Sequence, residues 1–338
     1  MPSLEVQTLA SRQHLIAPVL DELKHAMSTR FKLRQARALS KKFAALIEKG
    51  LGFVLLENEG CIGIMLYSSE YELRFSSFLS EQSAQKLPRN ITICLCYVLE
   101  DKRDQRASHE KLLLKSGISR LRLDTTVETI AVQLPRLYEM DLEGKLAALG
   151  FLNCRRVRMH RGTAGRISSG IPPGCRLHTP TAAEAEELMS VIYHGYFAEI
   201  DGYLFPDISA VCSDADLFKE FIGNSAIYLP ASVLARVQGY PSGCILSLHG
   251  ETRSNGLIGV VAVVPGMRRR GIGRAMILNV LRKFQEMRYE QVSLAVTVEN
   301  TPAHALYCAL GFQEANRQTR ISVWRRSISR PLVNFRKQ

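Results

Sequence analysis

Apolar residues recur every three or four positions along 272–287, where Ile272, Met276, Val280, Phe284 and Met287 form one stripe and Arg274, Arg282, Lys283 and Glu286 fall between them. That period predicts an amphipathic helix packed on one face. The preceding run 256–264, GLIGVVAVV, is almost wholly apolar and ends at Pro265 and Gly266, so it predicts a buried strand. Another strand is predicted over 291–298 and a short helix over 302–310. Thr301 suits its N-cap, Pro302 its first turn and Gly311 its left-handed end. Leu306 and Leu310 share the core face of this helix, while Tyr307, about 100° round from Leu306, is placed to look toward a groove or else to pack half-buried.

The pattern occurs twice. LAALGFLNCRRVRMHR at 146–161 echoes YCALGFQEANRQTRIS at 307–322, with the two LGF triplets 161 residues apart, a spacing that points to a duplicated domain rather than a solenoid. Upstream of the first triplet, helices are predicted near 10–28 and 33–49 and strands at 52–57, 62–67 and 91–99. The second half follows the same course, with a strand near 175–178, a helix from Thr181, another at 214–222, and strands at 232–238 and 243–249. The expected organisation is a first domain over 1–162, a Gly/Ser/Pro-rich linker over 163–174, a second domain over 175–330 and a basic tail over 331–338. Both halves read as mixed α/β sheets with flanking helices.

Between the strand at 256–264 and its helix lies RRRGIGRA, 268–275. A helix start leaves its first amide N–H groups without carbonyl partners and carries partial positive charge, which draws phosphate oxygens. Gly271 and Gly273 let the main chain approach an anion closely, and Arg268, Arg269, Arg270 and Arg274 offer charge-assisted donors. The loop is not a GxxxxGK[ST] phosphate loop, and Met276 stands where a dinucleotide fingerprint needs a third glycine. After the equivalent strand of the first half the chain reads EDKRDQRASHEKLLLKSG, with no glycine at the turn and with Glu100, Asp101 and Asp104 where they would repel phosphate.

Arg268-x-x-Gly271-x-Gly273 after its apolar strand, followed at the right distance by Asn300 and by a helix ending LYCALGF, resembles the two coenzyme A-binding motifs of the GNAT acetyltransferase superfamily. The resemblance spans about eighty residues. It implies an α/β fold of two GNAT-like domains in tandem, the second intact and the first degenerate, with direct transfer of an acetyl group from acetyl-CoA to an amine. Backbone groups of Ala262, Val263 and Val264 would run beside the pantetheine. The loop Arg268, Arg269, Arg270, Gly271, Ile272, Gly273 and Arg274 would hold the pyrophosphate, and Asn300 would bond the amide-bearing arm. Tyr307 would protonate the departing thiolate, and its counterpart in the first half is Leu146. Many members carry a carboxylate base on the strand before the phosphate loop, but 256–267 contains no Asp, Glu or His. His249 and Glu251, at the end of the preceding strand, become the candidates for that role. Tyr193, Tyr196, Phe197, Tyr203 and Phe205, with Glu199, Asp201 and Asp207, fall where the superfamily commonly walls its acceptor pocket. They suit a cationic amine on a small molecule, a peptide or a protein, or else simple packing.

With 338 residues, 46% hydrophobic and 22% charged, the chain is expected to fold as two globular domains. Nothing in it reaches the length of a membrane span, and the first residues lack signal-peptide character, so the expected location is cytoplasmic. Eight cysteines without CxxC pairs, mostly in apolar stretches, read as reduced core residues. Cys94 and Cys96, two apart on a strand, are expected to share a face, and no metal site is expected. The net charge of +12 favours anionic ligands, and in the absence of any RNA- or DNA-binding signature nucleic acid is not an expected partner. The alternative function is a non-catalytic acyl-CoA sensor or interaction scaffold. Asn300 and Tyr307 favour the enzyme, and the missing strand-borne carboxylate favours the alternative.

Overall fold

A computed structural model describes residues 3–69, 78–102, 105–135, 137, 142–167, 170–197, 199–250, 252 and 254–326. In chain order the elements are β1 (Leu4–Thr8), α1 (Ala17–Arg30), α2 (Leu33–Glu48), β2 (Gly52–Glu57), β3 (Gly60–Ser68), α3 (Glu81–Ala84), β4 (Arg89–Val98), α4 (Arg106–Leu123), β5 (Val127–Val132), α5 (Leu142–Ala148) and β6 (Leu152–Gly162). There follow β7 (Cys175–His178), α6 (Ala185–Tyr196), α7 (Ile200–Leu204), α8 (Pro206–Val211), α9 (Ala215–Gly223), β8 (Val233–Val237), β9 (Tyr240–His249), β10 (Asn255–Val263), α10 (Ile272–Glu286), β11 (Gln291–Thr297), α11 (Thr301–Ala309) and β12 (Gln313–Arg325). Two compact units emerge. Of the described residues, the first holds 3–69, those from 88 to 153, and 320–326; the second holds those from 78 to 87 and from 154 to 319.

In the first unit the strands run in the order β1-β2-β3-β4-β5, closed by Ser322–Arg325 of β12. All pairs are antiparallel except β4 with β5, which are parallel and joined by α4, a connection that needs a crossover helix. β4 is rich in β-branched and apolar residues and is buried on both faces, as such a strand must be. Leu113, Leu114 and Ile118 of α4 pack with Ile91, Ile93 and Cys96 on one side. On the other, Val19, Leu23 and Phe43 of α1 and α2 cover Val54, Ile64 and Cys94. Cys94 and Cys96 therefore do not share a face. Leu95 pairs with Leu66 and Ile93 with Tyr67, so Cys94 is the extra residue of a β-bulge, which flips the alternation.

The second unit repeats the plan in the order β7-β8-β9-β10-β11, closed by β6. Here β10 and β11 are the parallel pair and α10 is the crossover. The stripe predicted on α10 is buried, with Ile272, Met276, Val280 and Phe284 in the core and Met287 against its margin. α6 comes so close to β10 on the opposite face that a Cβ at Gly195 would lie 2.9 Å from the Ala262 side chain.

The closing strands are exchanged between the repeats. β6 follows the first LGF triplet yet pairs with β11 from Gln291↔Gly162 to Thr297↔Arg156, while β12, after the second triplet, pairs with β5. The described residues of segment 163–174, expected to be a linker, belong to the second unit. Gln285 donates to the Thr163 and Gly165 carbonyls and Arg282 to that of Ile167, so the described part of the segment lies along α10. The tail 331–338 lies outside the described residues.

Candidate functional site

The Arg268–Arg274 loop ends at Gly271, which adopts φ +80° as the N-cap of α10, a conformation that favours glycine. Arg269 is also left-handed at φ +61°. No side chain caps this helix, and its first bond inside the turn is Ala275 N–H to the Gly271 carbonyl, so the amides of Ile272, Gly273 and Arg274 are left to an outside acceptor. Arg269, Arg270 and Arg274 are exposed beside them. Arg161, on β6, joins the cluster: burial, and then the like charge of Arg274, push its pKa down. Two guanidiniums held together are stabilised by an anion. Arg268 does something else. Its guanidinium turns inward, donating to the Val263 carbonyl at 3.1 Å and the Gly195 carbonyl at 2.9 Å and pairing with Glu199, so it ties α6 to the end of β10.

A slot opens beside the loop. The parallel pairing of β10 and β11 runs from Asn255↔Gln291 to Ile258↔Leu294 and stops there among the described residues. The next residues along, Gly259 and Ala295, are the exposed positions of otherwise buried or half-buried strands. Gly259 is also the extra residue of a bulge against β9, since Ile258 faces Ser247 and Val260 faces Leu246. Past this point Val260–Val263 remain paired to β9 while their other main-chain edge lacks a strand. Ala262 packs on α6, Val263 lies by Gly273, and Val264 N–H donates to the Ser242 carbonyl.

Tyr307 is buried in the core cluster, 6% exposed, rather than directed at an open groove. Burial, and the negative charge of Asp201, raise its pKa, and Arg156 opposes them; Tyr196 is raised for the same leading reasons, with Tyr307 adding to them. Asp201 is therefore the carboxylate nearest in effect to both phenols. It accepts from Thr297 Oγ1 at 2.5 Å and Asn300 Nδ2 at 2.7 Å, and lies 3.8 Å from Arg156 Nη1. Asn300 caps α11 in place of Thr301, its Oδ1 accepting from Ala303 N–H at 3.3 Å, because the turn begins one residue earlier than expected. Both ends of its amide are thus engaged within the protein.

His249 is exposed, its ring tilted against that of Tyr228 at 4.3 Å between centroids. It pairs with Gly256, at the opposite end of β10 from Val263, which puts it roughly 20 Å along the strand from the phosphate loop. Glu251 lies outside the described residues. Of the aromatic group, Tyr203 and Phe205 are core residues, Phe197 is exposed and stacks with Tyr193, and Asp207 is buried. Asp201, Arg156 and Thr297 are the site residues whose meeting the sequence did not show.

In the first unit the parallel pairing of β4 with β5 likewise stops, at Ile93↔Val132 beside the Cys94 bulge, but the residues of β4 beyond it are all buried. Arg106 donates to the Val98 carbonyl much as Arg268 does to that of Val263. Glu110, almost wholly buried, lies 3.3 Å from Lys145 and 3.9 Å from Arg106, and Leu146, at the Tyr307 position, is fully buried. An ion pair fills the ground between α4 and α5 where, in the second unit, Gly273 meets Leu306. Glu100 and Asp101 form the turn before α4. Among the described residues no group of His, Cys, Asp and Glu could hold a metal ion, and no helix is long and apolar enough to cross a membrane.

The uncapped start of α10, the opening between β10 and β11 and the short helix that carries Tyr307 all belong to the second unit. The profile of the Acetyltransferase (GNAT) family matches residues 199–312. The chain is 32% identical to N-alpha-acetyltransferase 30 of Saccharomyces cerevisiae over 129 residues, 37% of this chain and 73% of that one. It is 25% identical to mycothiol acetyltransferase of Pseudarthrobacter chlorophenolicus over 161 residues, 46% of this chain and 48% of that one, so the match spans about half of that relative. In fold it aligns with a GCN5-related N-acetyltransferase from Sphaerobacter thermophilus over 97% of both chains, with a TM-score of 0.53 at 16% identity. The chain belongs to the GNAT acetyltransferase family, with two GNAT-like domains in tandem.

Proposed function

We propose that the second unit transfers the acetyl group of acetyl-CoA directly to an amine, and that the first unit has lost its acyl-CoA groove. The observation that carries this reading is the uncapped, left-handed start of α10 beside the opening at Gly259 and Ala295, with α11, the helix of Tyr307, meeting Gly273 through Leu306. The amides of Ile272, Gly273 and Arg274, with Arg270 and Arg161, suit a pyrophosphate. The unpaired edge of Val260–Val263 suits an extended amide-bearing chain, as an exposed strand edge does. Asn300 supports the site indirectly, by fixing α11 and Asp201.

In the reaction the amine nitrogen attacks the thioester carbonyl, a C–N bond forms and the C–S bond breaks. Tyr307 is the proton donor for the departing sulfur, and the raised pKa keeps its phenol protonated until that moment. Asp201 faces the nitrogen: it holds the ammonium, which gives its first proton to water to become the neutral attacking amine, and Asp201 takes the second proton once the new C–N bond has made that nitrogen acidic. This replaces the strand-borne carboxylate that β10 lacks, and it needs neither His249 nor Glu251. The acceptor is an amine on a small molecule, a peptide or a protein.

Calorimetric titration with acetyl-CoA tests the proposal. One site per chain is expected, together with release of free thiol when an accepted amine is added. Two sites would return the first unit to activity. Binding without turnover of any amine would favour a non-catalytic acyl-CoA sensor, the reading that the carboxylate-free β10 supports. No binding at all would refute both.

A further inference from the structure

The Arg156 guanidinium is pre-positioned and almost unused. β6 places it across from Thr297, one strand beyond the slot, and the ring of Phe205 lies 4.5 Å from its central carbon. The side chain is only 20% exposed. A buried guanidinium ordinarily spends its five N–H donors on short hydrogen bonds. Among the described residues this one makes a single long hydrogen bond, Nη2 to the Ala295 carbonyl at 3.5 Å, and that carbonyl belongs to the exposed residue that walls the slot. Its charge partner Asp201 lies at 3.8 Å, beyond hydrogen-bonding range, and already accepts from Thr297 and Asn300. The charge is balanced while the donor fork is left open.

We infer that the acceptor amine carries a carboxylate, which Arg156 binds through its planar fork while Asp201 faces the ammonium. The inference rests on the transferase reading above and narrows its substrate to amino acids and related amine-bearing carboxylic acids. A cation and an anion set side by side complement a zwitterion whose own charges are a few bonds apart. A planar guanidinium stacked on an aromatic ring matches a carboxylate in two-point geometry, and lysine would not replace it. A phosphate dianion is disfavoured because it would face Asp201 with only one guanidinium to offset it. The chain's surplus of positive charge acts in the same direction on approach.

The test is steady-state acetyl transfer to the common α-amino acids, β-alanine and 4-aminobutyrate, each assayed beside its own carboxamide, with acetyl-CoA titrated calorimetrically into the same preparations. At least one acid is expected to be acetylated, with kcat/KM roughly 10- to 100-fold above its carboxamide, the worth of a hydrogen-bonded charge. Arg156→Gln should raise KM for that acid by a similar factor, remove its advantage over the carboxamide and leave acetyl-CoA affinity as it was. Arg156→Lys should restore only a small part. Acetylation confined to carboxylate-free amines, no acetylation of any acid in the panel, or an Arg156→Gln defect shared equally by acid and carboxamide would overturn the inference. The acid-against-carboxamide comparison on the unaltered protein stands even if the variants fold poorly. Failure to bind acetyl-CoA would instead overturn the transferase reading.

Discussion

Gly271→Ala separates the anion cradle from the fold that carries it. At φ +80° an alanine is strained by about 1–2 kcal/mol. The added Cβ would meet nothing closer than Pro172 Cγ at 3.5 Å, an ordinary contact, so no clash adds to the strain. In a unit of this size the melting temperature should fall by about 2–8 °C. Binding should suffer more. Relief of the strain rotates the peptide that presents the Ile272 amide, and losing two charge-assisted hydrogen bonds at about 1.5–3 kcal/mol each weakens acetyl-CoA by roughly 10²- to 10⁴-fold. Gly266→Ala is the control, since that glycine has no left-handed strain and no atom within 4 Å of an added Cβ; stability and affinity should both hold. Calorimetric titration paired with thermal melts reads both quantities. A Gly271→Ala protein that melts several degrees lower yet binds acetyl-CoA within about threefold of the original would refute the cradle.

Tyr307→Phe should lower kcat by roughly 10²-fold or more while acetyl-CoA affinity changes little. Because burial and Asp201 raise the pKa, the phenol keeps its proton below its ordinary value of about 10, and activity should show no alkaline loss from this group up to pH 9; an alkaline limb below pH 9 that disappears in the Phe variant would count against the assignment. Cys308 is the exposed thiol among the eight cysteines and the other seven are buried, so a maleimide should modify one cysteine rapidly in the folded protein and all eight after denaturation. Rapid modification of two or more would show that the core opens. A chain shortened to 170–338 loses β6, and with it the core residues Val157 and Met159, and should fail to melt cooperatively; a cooperative, acetyl-CoA-binding product would show that β6 is dispensable.

What the sequence made legible was local. The strand, phosphate loop and helix around Gly271 lie within some thirty residues, and their glycines, arginines and apolar stripe each carry a short-range signal. Asn300 was read as a contact to the cofactor and not as the cap of α11, because either Asn300 or Thr301 can start that turn. The Asp201 contacts were invisible: Thr297 and Asn300 are 96 and 99 residues away in the chain, and a carboxylate among aromatics does not say which of them it will meet. Arg156 read as one of several basic positions on a strand, since its stacking on Phe205 exists only once β6 has paired with β11. The bulge at Cys94 carries no glycine or proline to announce it.

The exchanged closing strands set a timetable for synthesis. As the chain leaves the ribosome, β1 to β5 are made early, yet the edge of β5 stays open until residues 322–325 arrive roughly 190 residues later. β6 is made before its sheet and must wait for β11. A ribosome that stalls or terminates after the phosphate loop therefore releases a nascent protein with a bare, apolar strand edge, the kind of template that recruits other chains. It also makes the two domains hard to separate, because a gene fragment encoding either half alone specifies a sheet whose last strand is written in the other half.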